Sequence, residues 1–162
     1  MPDAVPPSEP RVPSRLYRWL VLLFISLAMF GNYYVYDCIS PLADVLKAQL
    51  GFSDSSIGLL QAIYSFPNIV MVLVGGIIID RIGTKRSTLL FGATCFLGAA
   101  ITAWPGLPFF APLAAAVRGL GGLFGFEVES QVLASMVAGR LVFGLGAESL
   151  IVAVTTAIAR WF

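Results

Sequence analysis

Four long apolar runs leave this chain few ways to fold. They are Trp19–Tyr36 (WLVLLFISLAMFGNYYVY), Ile57–Ile79, Ser87–Trp104 and Leu133–Ala159. Each is close to or above the ~20 largely apolar residues that a helix needs to cross a bilayer. Only a helix satisfies its own backbone hydrogen bonds in lipid, so helix is the expectation for all four. Composition agrees: 12% of residues are charged, against about 25% in soluble domains, and 58% are hydrophobic. The expected fold class is an all-α membrane protein.

The same composition removes several function classes. A net charge of +1 gives no electrostatic footprint for nucleic acid. The chain has no histidine, which excludes a histidine metal centre or proton relay. Cys38 and Cys95 lie in or beside apolar runs and read as small packing residues, not as a disulfide or metal pair. No catalytic constellation, phosphate loop or metal cluster is visible, so neither enzyme activity nor a cofactor is expected.

Residues 1–18 read as a disordered Pro-rich tail, with five prolines in the first fifteen positions. The apolar run that follows is too long for a cleaved signal peptide. Basic residues set the orientation. Arg11, Arg15 and Arg18 precede the first span, Arg81, Lys85 and Arg86 separate the second from the third, and Arg160 follows the last. Lys47 and Arg118 fall in the other two connections. The N-terminus is therefore expected in the cytoplasm. The connection at 105–132 is long. Its stretch Phe109–Phe126 carries Arg118, Pro112 and four glycines, which weaken it as a fifth span. It reads as a re-entrant or interface-lying segment, or as an insertion foreign to the pattern.

Charge is concentrated in GGIIIDRIGTKR, where four of the nineteen charged residues lie between Asp80 and Arg86. Gly76, Asp80, Arg81, Gly83, Lys85 and Arg86 match G-x-x-x-D-[RK]-x-G-x-[RK]-[RK]. Gly83 can take positive φ and reverse the chain in a very short loop. Gly75 and Gly76 would let a neighbouring helix approach. The last span holds a second pattern, GRLVFGLGAES, in which Arg140 and Glu148 are costly charges within an apolar helix. Eight residues apart, they are separated by about 12 Å along the axis and can line one cavity without forming a helical pair. The alternative is an Arg at the outer interface and a Glu paired with another helix. In the second span, Pro67 should kink the helix and Asn68 should bond across helices or meet substrate. Tyr33, Tyr34 and Tyr36 form an aromatic belt near the outer interface, with Tyr36 also a candidate for substrate contact.

The first pattern resembles the loop between the second and third spans of the major facilitator superfamily. The spacing of Arg140, Gly144 and Gly146 resembles the fourth-span motif of the same superfamily, where the two glycines would permit close packing. GNYYVYD at 31–37, YSFPNIV at 64–70, GGIIIDRIG at 75–83 and GRLVFGLGAESLIVA at 139–153 look like its branch of lysosomal dipeptide transporters. The likeness covers most of 20–104 and 136–162, and the long 105–132 connection departs from it. It implies the first four helices of a twelve-helix transporter and alternating access by small solutes such as dipeptides, as uniport or with protons. Glu148 would meet a peptide amino terminus, and Arg140 would hold a carboxylate or tune Glu148. Asp80 would latch the two halves on the cytoplasmic side. The likeness also implies a lysosomal membrane and an accessory membrane glycoprotein. On this reading the chain is the N-terminal portion of a longer protein. The alternative is a non-transporting membrane protein that associates with a full-length relative.

Overall fold

The computed structural model describes residues 14–125 and 128–161. Helix α1 spans Arg15–Asp37, earlier than the expected Trp19, because the Ser14 hydroxyl caps it by accepting from the Tyr17 N–H at 3.3 Å. Arg15 to Arg18, expected in the tail, thus form the first helical turn; residues 1–13 lie outside the described residues. Helix α2 (Ile39–Leu50) continues α1 after a break at Cys38, and the pair runs for 36 residues. At 1.5 Å per residue that is about 54 Å, well beyond a ~30 Å hydrocarbon core.

Helices α3 (Asp54–Ala62) and α4 (Ser65–Ile82) form a second interrupted rod. The two breaks share a cause. Pro41 is the third residue of α2 and Pro67 the third of α4. Each proline lacks an N–H, and its ring crowds the carbonyl four residues back. The kink expected at Pro67 therefore appears upstream as a turn at Ile63–Tyr64, where the Ile63 carbonyl accepts from Phe66 N–H at 3.3 Å. Helix α5 (Thr84–Ala103) follows α4 after Gly83 alone, at φ +82°. Here the sequence pattern required glycine, and the backbone uses its freedom.

The 105–132 connection contains a short 3-10 turn at Pro108–Phe110 and helix α6 (Ala111–Phe124). With 14 residues α6 is about 21 Å long, too short to cross a bilayer. Ala114 and Val117 bury its inner face against the last helix, α7 (Gln131–Trp161). The connection is also tied to α3. Glu129 accepts from the Ser53 and Ser56 hydroxyls at 3.1 and 3.3 Å, placing its negative charge at the positive end of α3.

Helix α7 packs against α1, α3, α4, α5 and α6. Gly98 faces Gly139 and Phe143 while Gly146 faces Phe91 and Cys95, so α5 and α7 are antiparallel. Gly144 faces Tyr64 while Gly75 faces Ser149, so α4 and α7 are parallel. The Tyr36 and Tyr64 ring centroids lie 4.7 Å apart, whereas Ala28 lines a cavity with Leu150. The start of α1, the Gly83 turn and the end of α7 therefore share one end of the bundle. The α2–α3 turn and the start of α7 share the other.

Two cores follow this division. Ile39, Phe52, Ile57, Leu60, Leu133 and Val137 close the α2–α3 end. Tyr64, Ile79, Phe91, Phe143, Leu150 and Val154 close the other. Four helical segments, Arg15–Leu50, Asp54–Ile82, Thr84–Ala103 and Gln131–Ala159, are long and apolar enough to cross a membrane. Their outward faces carry exposed Leu23, Phe24, Ile69 and Phe96, as lipid-facing helices do.

The tightest seam is α5 on α7. A Cβ on Gly98 would lie 2.3 Å from the Phe143 nitrogen and 2.7 Å from the Gly139 carbonyl oxygen. Both neighbours are backbone and cannot swing away. Gly98→Ala should lower stability by about 1–3 kcal/mol, read by thermal unfolding of the purified chain in detergent. Gly76→Ala meets nothing within 4 Å and should leave stability unchanged or raise it by up to about 1 kcal/mol.

Candidate functional site

The helix breaks leave carbonyls in the last turns of α1 and α3 that no helical N–H reaches. Arg140, in the first half of α7, is 1% exposed and answers them. Its Nε donates to the Leu60 carbonyl at 3.1 Å. Its Nη1 donates to Val35 O at 2.9 Å and its Nη2 to Tyr36 O at 2.8 Å. One guanidinium thus caps both interrupted rods and pins them to α7. The rings of Tyr36, Tyr64 and Phe143 surround it, with the guanidinium carbon 5.9, 6.0 and 5.9 Å from their centroids. Ring faces are negative, so they offset part of the cost of holding the charge away from water.

Glu148 lies two turns further along α7, half-buried, and makes a separate network. Its Oε1 accepts from the Tyr64 hydroxyl at 3.1 Å and from Asn68 Nδ2 at 3.3 Å. Tyr64 and Asn68 stand four residues apart, hence on one face of the rod turned to α7. The Asn68 Oδ1 is buried with no partner among the described residues. The Asn68 amide thus meets Glu148 through its Nδ2, which leaves its own oxygen and the carboxylate as the acceptors of this network. Both accept hydrogen bonds and neither donates, so the pair suits a cationic donor.

Arg140 and Glu148 form no ion pair among the described residues, although Tyr64 touches both. Of the other sequence candidates, Tyr36 contributes its carbonyl to Arg140, and the residue is 38% exposed. A Cβ on Gly144 would come 2.4 Å from the Tyr64 carbonyl oxygen and 2.7 Å from Pro67, and one on Gly146 would come 2.6 Å from the Phe91 carbonyl oxygen. Asp80, Arg81, Lys85 and Arg86 are exposed around the Gly83 turn, away from Glu148, and make no ion pair among the described residues. Close approach occurs at Gly75, beside Ser149, whereas Gly76 faces open space.

Tyr64 is the site residue that sequence reasoning passed over. It was legible only as part of YSFPNIV. The usable signal was its spacing: a tyrosine one turn before Asn68, at a proline break, in an apolar span.

The family model described as Major Facilitator Superfamily matches residues 25–162. The chain is 35% identical over 152 residues to the lysosomal dipeptide transporter MFSD1 of Homo sapiens, covering 93% of this chain and 28% of that protein. The corresponding protein of Mus musculus is also 35% identical over 152 residues, with the same coverage. That of Danio rerio is 32% identical over 148 residues, covering 91% of this chain and 27% of the relative. No solved structure matches at a significant level. The chain thus spans 28% of the length of the first of these relatives.

Three carbonyls depend on the fork shape of Arg140, which a lysine ammonium cannot reproduce. Arg140→Lys should destabilise the purified chain by about 3 kcal/mol, since each buried carbonyl left bare costs about 1–3 kcal/mol. Tyr36→Phe keeps the carbonyl and should stay within about 0.5 kcal/mol of the parent. Thermal unfolding in detergent compares the two.

Proposed function

Because the chain belongs to the major facilitator superfamily, we propose that it supplies part of the transport pathway of a carrier for short peptides working by alternating access. It is a membrane transporter chain and not an enzyme. The observation that carries the proposal is a Glu148 carboxylate held by the Tyr64 hydroxyl and Asn68 Nδ2 inside an apolar bundle, with the Asn68 Oδ1 left without a partner among the described residues. A carboxylate within a membrane span is expensive and is retained where it binds or relays charge. A peptide ammonium donates up to three hydrogen bonds and suits such acceptors. The names of the relatives, lysosomal dipeptide transporters, support the same ligand class.

In this proposal Glu148 and Asn68 bind the amino terminus, and Tyr64 holds the carboxylate in place. Arg140 acts as the clamp that sets the height of Tyr64 against α7. Its three carbonyl bonds support that role better than direct capture of a substrate carboxylate. Tyr36 borders the same region. A proton on Glu148 would exchange with the substrate in a coupled cycle, or the peptide would move alone in uniport. The clustering of Arg15, Arg18, Arg81, Lys85 and Arg86 at one end of the bundle supports a cytoplasmic placement of that end. Asp80, exposed there, is positioned to latch a helix of the opposite half. Lysosomal residence and the accessory membrane glycoprotein belong to the proposal on the likeness alone.

A chimera in which this chain replaces the matched segment of the human relative tests the site. Reconstituted in vesicles, it should take up dipeptides. Glu148→Gln should reduce uptake at least tenfold at equal expression, and Tyr64→Phe should reduce it less. Unchanged uptake in Glu148→Gln would remove that carboxylate from the pathway.

A further inference from the structure

We propose that the cavity between α6, α7 and the α3–α4 rod takes one acyl chain of an anionic phospholipid, whose phosphate is held by Arg118 at the bilayer surface. The cavity holds about 410 Å³, within the range of small-molecule sites. Leu59, Ile63 and Phe66 form one wall, Val117 and Leu120 of α6 a second, and Leu141 of α7 a third. Every described residue that lines it is apolar. A peptide or an ion finds no polar partner there, whereas a hydrocarbon chain needs none. Phe66 and Leu120 are exposed, so the cavity opens on the surface of the bundle.

Depth selects a lipid tail. Helix α5 has 20 residues and is about 30 Å long, the thickness of the hydrocarbon core. Lys85 and Arg86 stand at one of its ends and exposed Trp104 follows the other, as interfacial anchors do. Gly98 faces Gly139, so the Trp104 end of α5 lies level with Ala134 of the antiparallel α7. Leu141 is seven residues further in, about 10 Å below that surface. The cavity therefore sits among acyl chains, in the leaflet at the α2–α3 end. Val117 packs in the cluster that holds Leu133 and Val137, which bracket Ala134. Arg118, next in the chain, is thus at headgroup level. It is exposed and makes no ion pair among the described residues. It is the only basic residue of 105–132, and Glu129 of the same connection is held by Ser53 and Ser56. A guanidinium above an apolar cavity matches a phosphate above an acyl chain, in charge and in polarity.

The purified chain in phosphatidylcholine vesicles tests this. The probes are trace phosphatidylglycerol and trace phosphatidylcholine with the same acyl chains, each carrying a diazirine midway along one chain. After irradiation, mass spectrometry reads the label on peptides that hold Phe66, Leu120 or Leu141. Lipid gathered by the basic residues at the Gly83 end lies in the other leaflet, so its label does not reach these peptides. Phosphatidylglycerol should label them about fivefold more than phosphatidylcholine. Arg118→Gln, an exposed change, should abolish that preference. Ala62→Trp fills the cavity from α3 and should bring labelling by both probes to background. Leu120→Trp repeats the filling from α6 should Ala62→Trp lower the unfolding temperature. Equal labelling by the two probes, a preference that survives Arg118→Gln, or label that survives filling in a folded variant would overturn the proposal. Loss of the preference on adding soluble glycerol phosphate would assign Arg118 to a free phosphate and overturn it as well.

Discussion

The Arg140 guanidinium holds this structure together at its middle. Two proline-broken rods, α1–α2 and α3–α4, end their first segments at the same height. Val35, Tyr36 and Leu60 there present carbonyls to an apolar interior. A helix broken inside lipid is tolerated only when its freed groups find other partners. A planar cation with five N–H donors on a third helix supplies three of them at once. In this structure the guanidinium meets backbone carbonyls and forms no ion pair among the described residues. It converts two weak points into one junction, and the three surrounding rings offset part of its desolvation.

The candidate site inherits its geometry from that junction. Tyr64 occupies the second break, under the guanidinium on one side and on Glu148 on the other. Gly144 admits the Tyr64 carbonyl so closely that no side chain fits between them. The break, the arginine and the glycine together fix where the phenol points. The phenol and Asn68 in turn fix one oxygen of Glu148. The far core around Leu60 and Leu133 and the near core around Phe143 and Leu150 meet at this level.

The helices, the short Gly83 turn and the family were legible in the sequence, because each rests on a local rule. Apolar length gives spans, positive φ demands glycine, and charge spacing marks the loop. What Arg140 binds was not legible. Backbone carbonyls have no letter, so the sequence offered only other charges as partners, and Glu148 was the nearest one. Pro67 announced a break, but not that Pro41 makes a matching one at the same height. Gly75 and Gly76 look alike as letters, and only the crossing of α4 over Ser149 separates them. The 105–132 segment reads as re-entrant or interface-lying, or as an insertion, because nothing in its letters names its partners. The structure ties it down through Val117 in the far core and Glu129 at the start of α3, contacts between residues far apart in the chain.

The most direct test is a solid-state NMR measurement on the chain in bilayers, with ¹⁵N on the Arg140 guanidinium and ¹³C on chosen carbon atoms. The structure predicts strong dipolar coupling from the guanidinium to the Leu60 carbonyl, matching the 3.1 Å hydrogen bond, and none to the Glu148 carboxylate. Coupling to the Glu148 carboxylate with none to Leu60 would contradict it.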